Sequence, residues 1–142
     1  MKKRLVVLSV ICLMAFNSNC LAFTVTSEFG WRTHPISGDE STFHSGIDLA
    51  ADEGTPITAI WSGQVIFAGE YDGYGNMVLI DHGNARYTLY GHCSEIYVEP
   101  GSVVEQGQII AAVGSTGYST GPHLHLELWE NGQYVDPRVI WQ

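Results

Sequence analysis

The chain has 142 residues, a length that suits one domain with a substantial core and leaves no room for a second domain of ordinary size. Fifteen acidic residues outnumber six lysines and arginines, which gives a formal net charge of −9. This balance disfavours binding to nucleic acid or anionic lipid, because both carry charge of the same sign. Composition therefore favours a single globular domain that acts on a neutral, zwitterionic or small target.

The beginning of the chain has the order of segments found in a secretory signal peptide. Residues 2–4 are basic, residues 5–16 form an apolar run, and Cys20 and Ala22 supply the small side chains of a cleavage site within residues 20–22. The apolar run is short for a membrane span, and a retained anchor is the alternative. We predict a signal peptide over residues 1–22 and one domain over residues 23–142, without stable membrane insertion after cleavage.

Cleavage after residue 22 would leave a strongly acidic domain. It would contain three arginines, no lysine and all fifteen acidic residues, a formal charge of −12. One cysteine, Cys93, would remain, so an internal disulfide is excluded and stability must come from the core and from any bound metal. The absence of lysine also excludes a biotinyl or lipoyl carrier, which needs an exposed lysine at a hairpin tip.

Short apolar segments alternate with glycine-containing turns along this domain. The segments that have the composition of strands are residues 55–61, 64–68, 77–80, 86–90, 102–104, 108–113 and 123–130. Ser62-Gly63 predicts a tight hairpin between the first two. Strands at this spacing indicate an all-β fold, an antiparallel β-sandwich or barrel whose long glycine-rich loops form a groove.

Two histidine-containing segments near opposite ends of the domain supply candidate metal ligands. His123 and His125 are two residues apart in a predicted strand, so their side chains project from the same face. His44 and Asp48 are four residues apart, with Gly46 between them to let the segment bend. Either pair alone is weak evidence. Together they suit a zinc ion that keeps one coordination position open, as catalytic zinc sites do, and they predict a hydrolase.

An ordered series of short motifs extends this pattern. In chain order the motifs are Phe29-Gly30-Trp31-Arg32, His34-Pro35, Phe43-His44-Ser45-Gly46-Ile47-Asp48, Gly54-Thr55-Pro56, Gly73-Tyr74-Gly75-Asn76, Tyr90-Gly91-His92 and Ser119-Thr120-Gly121-Pro122-His123-Leu124-His125. The series resembles the signature segments of the lysostaphin-like M23 family, zinc endopeptidases that cut peptide cross-links in bacterial peptidoglycan. The resemblance covers nearly all of the predicted mature domain, from about residue 29 to residue 141.

The resemblance implies roles for five residues. His44 and Asp48 match the family's HxxxD motif and His125 matches the second histidine of its HxH motif, so these three would be the zinc ligands. His123 and His92 match the two histidines that the family places beside the metal without binding it. The chain has no His-Glu-X-X-His segment, and a histidine is a natural replacement for the glutamate base because its pKa lies near neutrality. The two non-ligand histidines would act jointly, and the sequence does not separate their steps.

Several other polar residues allow two interpretations each. Glu127 either orients His125 from the next position on the same face or ends the strand in solvent. His34 either lines the cleft or faces solvent, whereas His82, in a turn, is expected to be structural. Cys93 is expected to be a buried or partly buried free thiol. Three tyrosines in glycine-rich loops either wall a groove or pack among the loops: Tyr71, Tyr74 and Tyr118.

Taken with the resemblance, these features predict a zinc metalloendopeptidase that hydrolyses amide bonds in peptidoglycan cross-links, in the periplasm or outside the cell. The alternative is a non-catalytic binding or regulatory module that activates another wall hydrolase, although such relatives usually lose ligand residues. The expected partners are peptidoglycan peptide stems and cross-bridges, and no nucleic acid. Targeting would come from the groove or from a partner protein. Whether a glycine bridge or a D-alanyl linkage is cut stays open.

Overall fold

The computed structural model of the protein describes residues 10–13, 21–33, 38 and 42–142. Its strands are β1 Val10–Leu13, β2 Leu21–Ser27, β3 Gly30–Arg32, β4 Thr42–His44, β5 Ile47–Ala50, β6 Pro56–Thr58, β7 Gly63–Glu70, β8 Asn76–Asp81, β9 Arg86–Ile96, β10 Val103–Val104, β11 Ile109–Val113, β12 His123–Glu130 and β13 Gln133–Val135. Two short 3₁₀ helices cover Asp72–Tyr74 and Pro137–Trp141. In the described part of the chain, no helix has the length and apolar character needed to cross a membrane. The predicted leader, residues 1–22, lies mostly outside the described residues and stays a prediction.

Eleven of these strands join into one sheet. The central order is β1-β2-β5-β12-β9-β8-β7-β10, while β11 pairs with β6 and β9, and β13 pairs with β12. Strands β3 and β4 form a separate hairpin. Every pairing between described strands is antiparallel. The predicted all-β antiparallel fold is confirmed.

The two neighbouring strands β5 and β12 separate the core from the candidate site. In β5, Ile47 and Leu49 are fully buried and belong to the core cluster, and Asp48 between them is half-buried. In β12, Leu124 and Leu126 enter the same cluster. Because successive side chains of a strand point to opposite faces, the polar residues between these core residues share the other face of the sheet. Apolar burial thus fixes the register that brings the candidate ligands together.

The predicted hairpin between residues 55–61 and 64–68 is wrong, although each segment does contain a strand. Strand β6 pairs with β11, whereas β7 pairs with β8 and β10. Gly63 is part of β7 rather than a turn residue, and a Cβ at this position would collide with the carbonyl oxygen of Asp81. The glycine therefore serves close strand approach, a requirement that looks the same in sequence as turn chemistry.

Strand β9 contains a β-bulge beside the candidate site. Gly91 and His92 lie together opposite the single residue Met77 of β8, between two regular pairs. His92 has a φ of 62°, in the left-handed region that non-glycine residues seldom adopt. Beyond the bulge, β9 pairs with β11 instead of β12. Such bulges redirect side chains, and this one gives the His92 side chain a direction that the regular alternation of the strand would not give it.

Candidate metal and catalytic site

A groove with a volume of about 1100 Å³ runs along one side of the described structure. Its walls come from strands β5 and β12, from the β3–β4 hairpin, and from the loops before β8 and β12. The five site residues predicted from the sequence all line it: His44, Asp48, His92, His123 and His125. The structure therefore brings together residues that lie up to 81 positions apart in the chain.

Three of these residues converge on one point. The carboxylate oxygen Oδ1 of Asp48 lies 3.2 Å from Nε2 of His44 and 2.9 Å from Nδ1 of His125. The two histidine nitrogens are 3.3 Å apart. One ligand atom from each residue lies within 4.8 Å of those of the other two, so the group could hold a metal ion.

The other nitrogen of each of these two histidines is occupied by a protein acceptor. Nδ1 of His44 donates to the carbonyl oxygen of Glu28 at 2.8 Å, and Nε2 of His125 donates to Glu127 at 3.0 Å. In the neutral rings these hydrogen bonds leave Nε2 of His44 and Nδ1 of His125 as lone-pair atoms. Two lone pairs and a carboxylate oxygen then face one another, an arrangement that requires a cation or a proton between them.

The protonation equilibria of the cluster show the same demand for positive charge. Burial alone would lower the pKa of His125, but its hydrogen bonds to Asp48 and Glu127 outweigh burial and raise the pKa to about 9. Burial alone would raise the pKa of Asp48, yet its hydrogen bonds to His125 and His44 hold that pKa far below its usual value. In the protein without metal, a proton on the imidazole therefore supplies the missing charge.

The donor set fits a zinc ion. Ligand atoms arranged tetrahedrally at 2.0–2.1 Å from zinc lie roughly 3.3 Å from one another. The three observed separations of 2.9, 3.2 and 3.3 Å are close to that value before any adjustment of the side chains. Two imidazoles and one carboxylate also match the ligand types of catalytic zinc sites, which leave a fourth position open.

Glu127 holds His125 from behind. It is fully buried, and its Oε1 accepts hydrogen bonds from Nε2 of His125 and from the hydroxyls of Ser45 and Tyr74, the latter at 2.7 Å. Its Oε2 accepts from the indole N–H of Trp129 at 2.8 Å. Although burial raises the pKa of a carboxyl group, these donors lower that of Glu127 below its usual value. Of its two interpretations from sequence, the structure supports the one that orients the histidine.

His92 and His123 form a second pair next to the first. Their ring centroids are 4.7 Å apart, and the ring of His92 lies 5.9 Å from that of His125. Nδ1 of His92 donates to the carbonyl oxygen of Thr116 at 2.7 Å, and Nδ1 of His123 donates to that of Gly121 at 2.8 Å. Nε2 of His123 lies 3.8 Å from Asp48. Burial lowers the pKa of His92, with the Thr116 carbonyl acting in the opposite sense, so the neutral ring is favoured.

The remaining candidates from sequence are also placed. His82 lies outside the groove and bonds through both ring nitrogens, to the carbonyl of Ser62 at 2.9 Å and to the hydroxyl of Thr88 at 2.7 Å, as expected of a structural residue. Cys93 is a buried free thiol whose pKa is raised to about 12 by burial, which makes it a poor nucleophile. His34 lies outside the described residues. Three tyrosines line the groove: Tyr71, Tyr74 and Tyr118.

The backbone groups that orient His44 and His92 were not predicted from the sequence. They are the backbone carbonyls of Glu28 and Thr116, which carry no side-chain signal at all. Arg32 was seen only as part of a motif, yet it lines the groove. The exposed aromatic residues nearby gave no separate signal either, although Phe43 packs edge-to-face on Trp31 with ring centroids 5.4 Å apart.

Comparison with known proteins bears out the resemblance drawn from the motifs. The model of peptidase family M23 matches residues 42–137. The chain belongs to this family. It is 48% identical over 123 residues to the DD-carboxypeptidase/endopeptidase Mpg of Neisseria meningitidis, a match that covers 86% of this chain and 28% of that protein.

Two further M23-like relatives complete the comparison. The peptidoglycan DD-endopeptidase ShyC of Vibrio cholerae is 42% identical over 110 residues, which cover 77% of this chain and 25% of that protein. A zinc-containing peptidase of known structure from Vibrio cholerae superposes with a TM-score of 0.77 at 34% identity, covering 89% of this chain and 39% of that chain. The chain thus spans about a quarter of the length of the curated relatives that it matches.

Proposed function

We propose that the protein is a zinc metalloendopeptidase that hydrolyses amide bonds in the peptide cross-links of peptidoglycan. The observation that carries this proposal is the convergence of Asp48, His44 and His125 at separations of 2.9–3.3 Å in the wall of an open groove. Membership of peptidase family M23 supports the same reaction class.

The metal would be held by His44, Asp48 and His125. When bound, zinc polarises an amide carbonyl and makes water acidic enough to act as a nucleophile near neutral pH. The protein's own part is to fix the ligand orientations through Glu127 and the Glu28 carbonyl, so that the three donor atoms are already in place. A solved relative described as a zinc-containing peptidase supports zinc as the metal.

His92 and His123 would move the protons of the reaction. Each ring is held by a carbonyl on Nδ1, which leaves Nε2 as the nitrogen available to a substrate or to water. Hydrolysis of an amide needs one proton removed from the attacking water and one delivered to the leaving nitrogen. Two histidines with ring centroids 4.7 Å apart are close enough to share these steps at one bond.

The substrate would be a cross-link between two D-configured centres. The relative from Neisseria is named a DD-carboxypeptidase/endopeptidase, and the relative from Vibrio is named a peptidoglycan DD-endopeptidase. The groove suits such a substrate, because it is open and mixes polar groups with aromatic side chains instead of forming a deep apolar pocket. The expectation from sequence left glycine bridges and D-alanyl linkages open, and these relatives favour the latter.

The place of action would lie outside the cytoplasmic membrane. Its support is the basic, apolar and small-residue order of residues 1–22, together with the wall-directed activity named for the relative from Vibrio. A structural neighbour from the SpoIIQ–SpoIIIAH pore-forming complex is 28% identical, with a TM-score of 0.70, so domains of this fold also occur within protein assemblies. A partner that directs the enzyme to its site is therefore part of the proposal.

Digestion of defined muropeptides tests the proposed reaction. Zinc-loaded protein should convert directly cross-linked dimers into monomers, and a chelator should stop the conversion until zinc is restored. Mass spectrometry of the products identifies the bond that was cut. If dimers of both the directly linked and the glycine-bridged type stay intact while zinc is bound, the proposed peptidase activity is wrong. The alternative of a non-catalytic regulatory module then replaces it.

A further inference from the structure

Arg32 stands apart from the other arginines of the described structure. Arg86 bonds to Glu130 at 2.8 Å, and Arg138 bonds to Asp136 at 2.7 Å. Arg32 forms no ion pair with any carboxylate among the described residues, although it lines the groove. In a domain with such an excess of acidic residues, a cation without a carboxylate partner needs an explanation.

The guanidinium of Arg32 has one edge that is not used within the described structure. Its Nη1 donates to the hydroxyl of Ser27, whereas its Nε is buried and has no hydrogen-bond partner. A buried donor without a partner is unfavourable, so an acceptor that reached this edge of the guanidinium would relieve the cost. The Nε–Nη2 edge of arginine matches the two oxygens of a carboxylate, with two parallel hydrogen bonds.

The β3–β4 hairpin ties Arg32 to the candidate metal site. Arg32 pairs with Thr42, and Gly30 pairs with His44, two positions further along. Residues directly opposite in an antiparallel pair share a face, so Arg32 and His44 project to the same side while Trp31 projects to the other. Two residues of a strand span about 7 Å. The backbone position of Arg32 is therefore about 7 Å along the hairpin from that of His44, a candidate zinc ligand.

A DD bond places a carboxylate at a matching position in the substrate. Its scissile nitrogen is attached to a D-configured carbon that also carries a carboxyl group. When the bond ends a stem, that group is the free C-terminal carboxylate. When the bond cross-links two stems through a side-chain amine, the free carboxylate is on the same carbon. It is separated from the scissile carbonyl by the amide nitrogen and one carbon in both cases.

We propose that Arg32 binds the carboxylate on the leaving-group side of the scissile DD bond and thereby selects substrates in which this carboxylate is free. The proposal rests on the proposed function and adds the specificity group for it. Zinc ligands at one end of the peptide unit and Arg32 at the other would fix the amide between them. One arginine would then serve both terminal and cross-linking bonds, because the two present the same carboxylate.

Matched substrates test this assignment. One pair is a stem peptide ending in D-alanyl-D-alanine, with its terminal carboxyl free or amidated. The other pair is a directly cross-linked dimer with the corresponding carboxyl free or amidated. KM and kcat are measured for the zinc-loaded full chain and for Arg32→Gln, Arg32→Lys and Arg86→Gln. Arg86 is the matched control, because it lies outside the groove. Zinc content and the thermal midpoint confirm that each variant is folded.

Arg32→Gln should raise KM for free-carboxylate substrates by about tenfold to a hundredfold, the effect expected for hydrogen bonds to a charged group, with a smaller change in kcat. On amidated substrates the wild type should show the same high KM, and the substitution should add little. For Arg32→Lys, KM should lie between that of the wild type and that of Arg32→Gln. Lysine keeps the positive charge but cannot form the two parallel hydrogen bonds of a guanidinium. An equal effect of Arg32→Gln on free and amidated substrates, or no effect on either, overturns the proposal.

Binding measurements keep this test independent of catalysis. If the wild type cleaves none of the four substrates, calorimetric titration of the same peptides still shows whether the free carboxylate is preferred and whether Arg32→Gln removes that preference. Absence of the preference overturns the assignment. Asp39 and Glu40 lie outside the described residues, so a double variant Asp39→Asn, Glu40→Gln is included. If the preference for a free carboxylate is seen only in that variant, Arg32 is engaged within the chain and the proposal is wrong.

Discussion

The four histidines that line the groove and His82, which lies outside it, form different hydrogen bonds through their rings. Both ring nitrogens of His82 form hydrogen bonds within the protein, one with the Ser62 carbonyl and one with the Thr88 hydroxyl. His44 and His92 each donate a hydrogen bond from Nδ1 to a backbone carbonyl, and His125 donates one from Nε2 to Glu127. The second nitrogen of each of these three rings lies in the groove, and those of His44 and His125 face Asp48 there.

What distinguishes His82 from the groove histidines is where the second nitrogen lies. A ring held at one nitrogen outside the groove has a fixed direction, and its other nitrogen faces the groove, where a metal or a proton can reach it. Both nitrogens of His82 are bonded away from the groove, so this ring offers nothing to a ligand there. Four predictions follow from this contrast. Each concerns a substitution of a groove residue, of a residue that supports one, or of His82.

Removal of a ligand histidine should have the largest effect. His125→Ala deletes one of the three donors, so zinc should fall from about one ion per chain to background, and peptidase activity should fall with it. His82→Ala is the matched control and should keep its zinc, because neither of its nitrogens faces the groove. Elemental analysis of both dialysed proteins measures this. Equal zinc in the two variants would remove His125 from the ligand set.

Removal of either histidine proposed to transfer protons should have the next largest effect. His92→Ala and His123→Ala should each retain zinc and lose turnover on the order of a hundredfold or more, the range in which general acid–base groups contribute. Zinc analysis and kcat are measured on the same preparations. Loss of metal from either variant would instead show that the residue belongs to the metal's own ligands.

Weakening the support behind a ligand should have a smaller effect. Glu127→Gln removes the charge behind His125 and one of the acceptors used by Ser45, Tyr74 and Trp129, so zinc affinity should fall about tenfold to a hundredfold. Competition with a chromophoric chelator measures that affinity. Glu130→Gln, on the same strand but paired with Arg86 at the surface, should bind zinc as the wild type does. A Glu127 variant with unchanged affinity would reduce this residue to a packing role.

The structural histidine should show the smallest effect, and in stability alone. Burial lowers the pKa of His82, so the folded protein binds its proton less readily than the unfolded chain. Stability should therefore fall as the pH drops below about 6.5, the ordinary histidine pKa, and the loss should end below the lowered pKa. Urea unfolding at pH 8 and pH 5.5 with chelator present measures this. His82→Gln should lose about 1–2 kcal/mol at pH 8 and have a weaker pH dependence. An unchanged pH dependence would assign the titration to other groups.

Much of the strand pattern could be predicted from the sequence. The predicted strand at residues 123–130 coincides with β12, because alternating apolar residues and a terminal Asn-Gly turn mark its length. Pairing was harder. Gly63 is required for approach to Asp81 and predicted a turn instead, so β6 was paired with the wrong neighbour. Local composition reports that a segment is extended, whereas its partner depends on contacts far away in the chain.

The candidate site residues could be predicted from the sequence. Most of the groups that hydrogen-bond to these residues and orient them could not. The five histidine and aspartate positions that line the groove were predicted because their spacing and motifs are local, and their roles stay proposals. The Glu28 and Thr116 carbonyls were not predicted, since any residue has a carbonyl group. The hydroxyl of Tyr74 reaches Glu127 across 53 positions of the chain, a contact that only the folded register creates. The choice between two roles for Glu127 needed its burial.

The bulge in β9 makes one position of the site depend on chain length as well as on side-chain identity. His92 occupies the extra place opposite Met77, so its location is set by how many residues separate Tyr90 from Cys93. Loss of one residue there would restore a regular ladder and remove the extra place, while Tyr90 and Cys93, both in the core cluster, would still share a face. Libraries built from substitutions alone leave this variable untouched. Insertions and deletions of single codons are the changes that would move this imidazole relative to the proposed metal ligands.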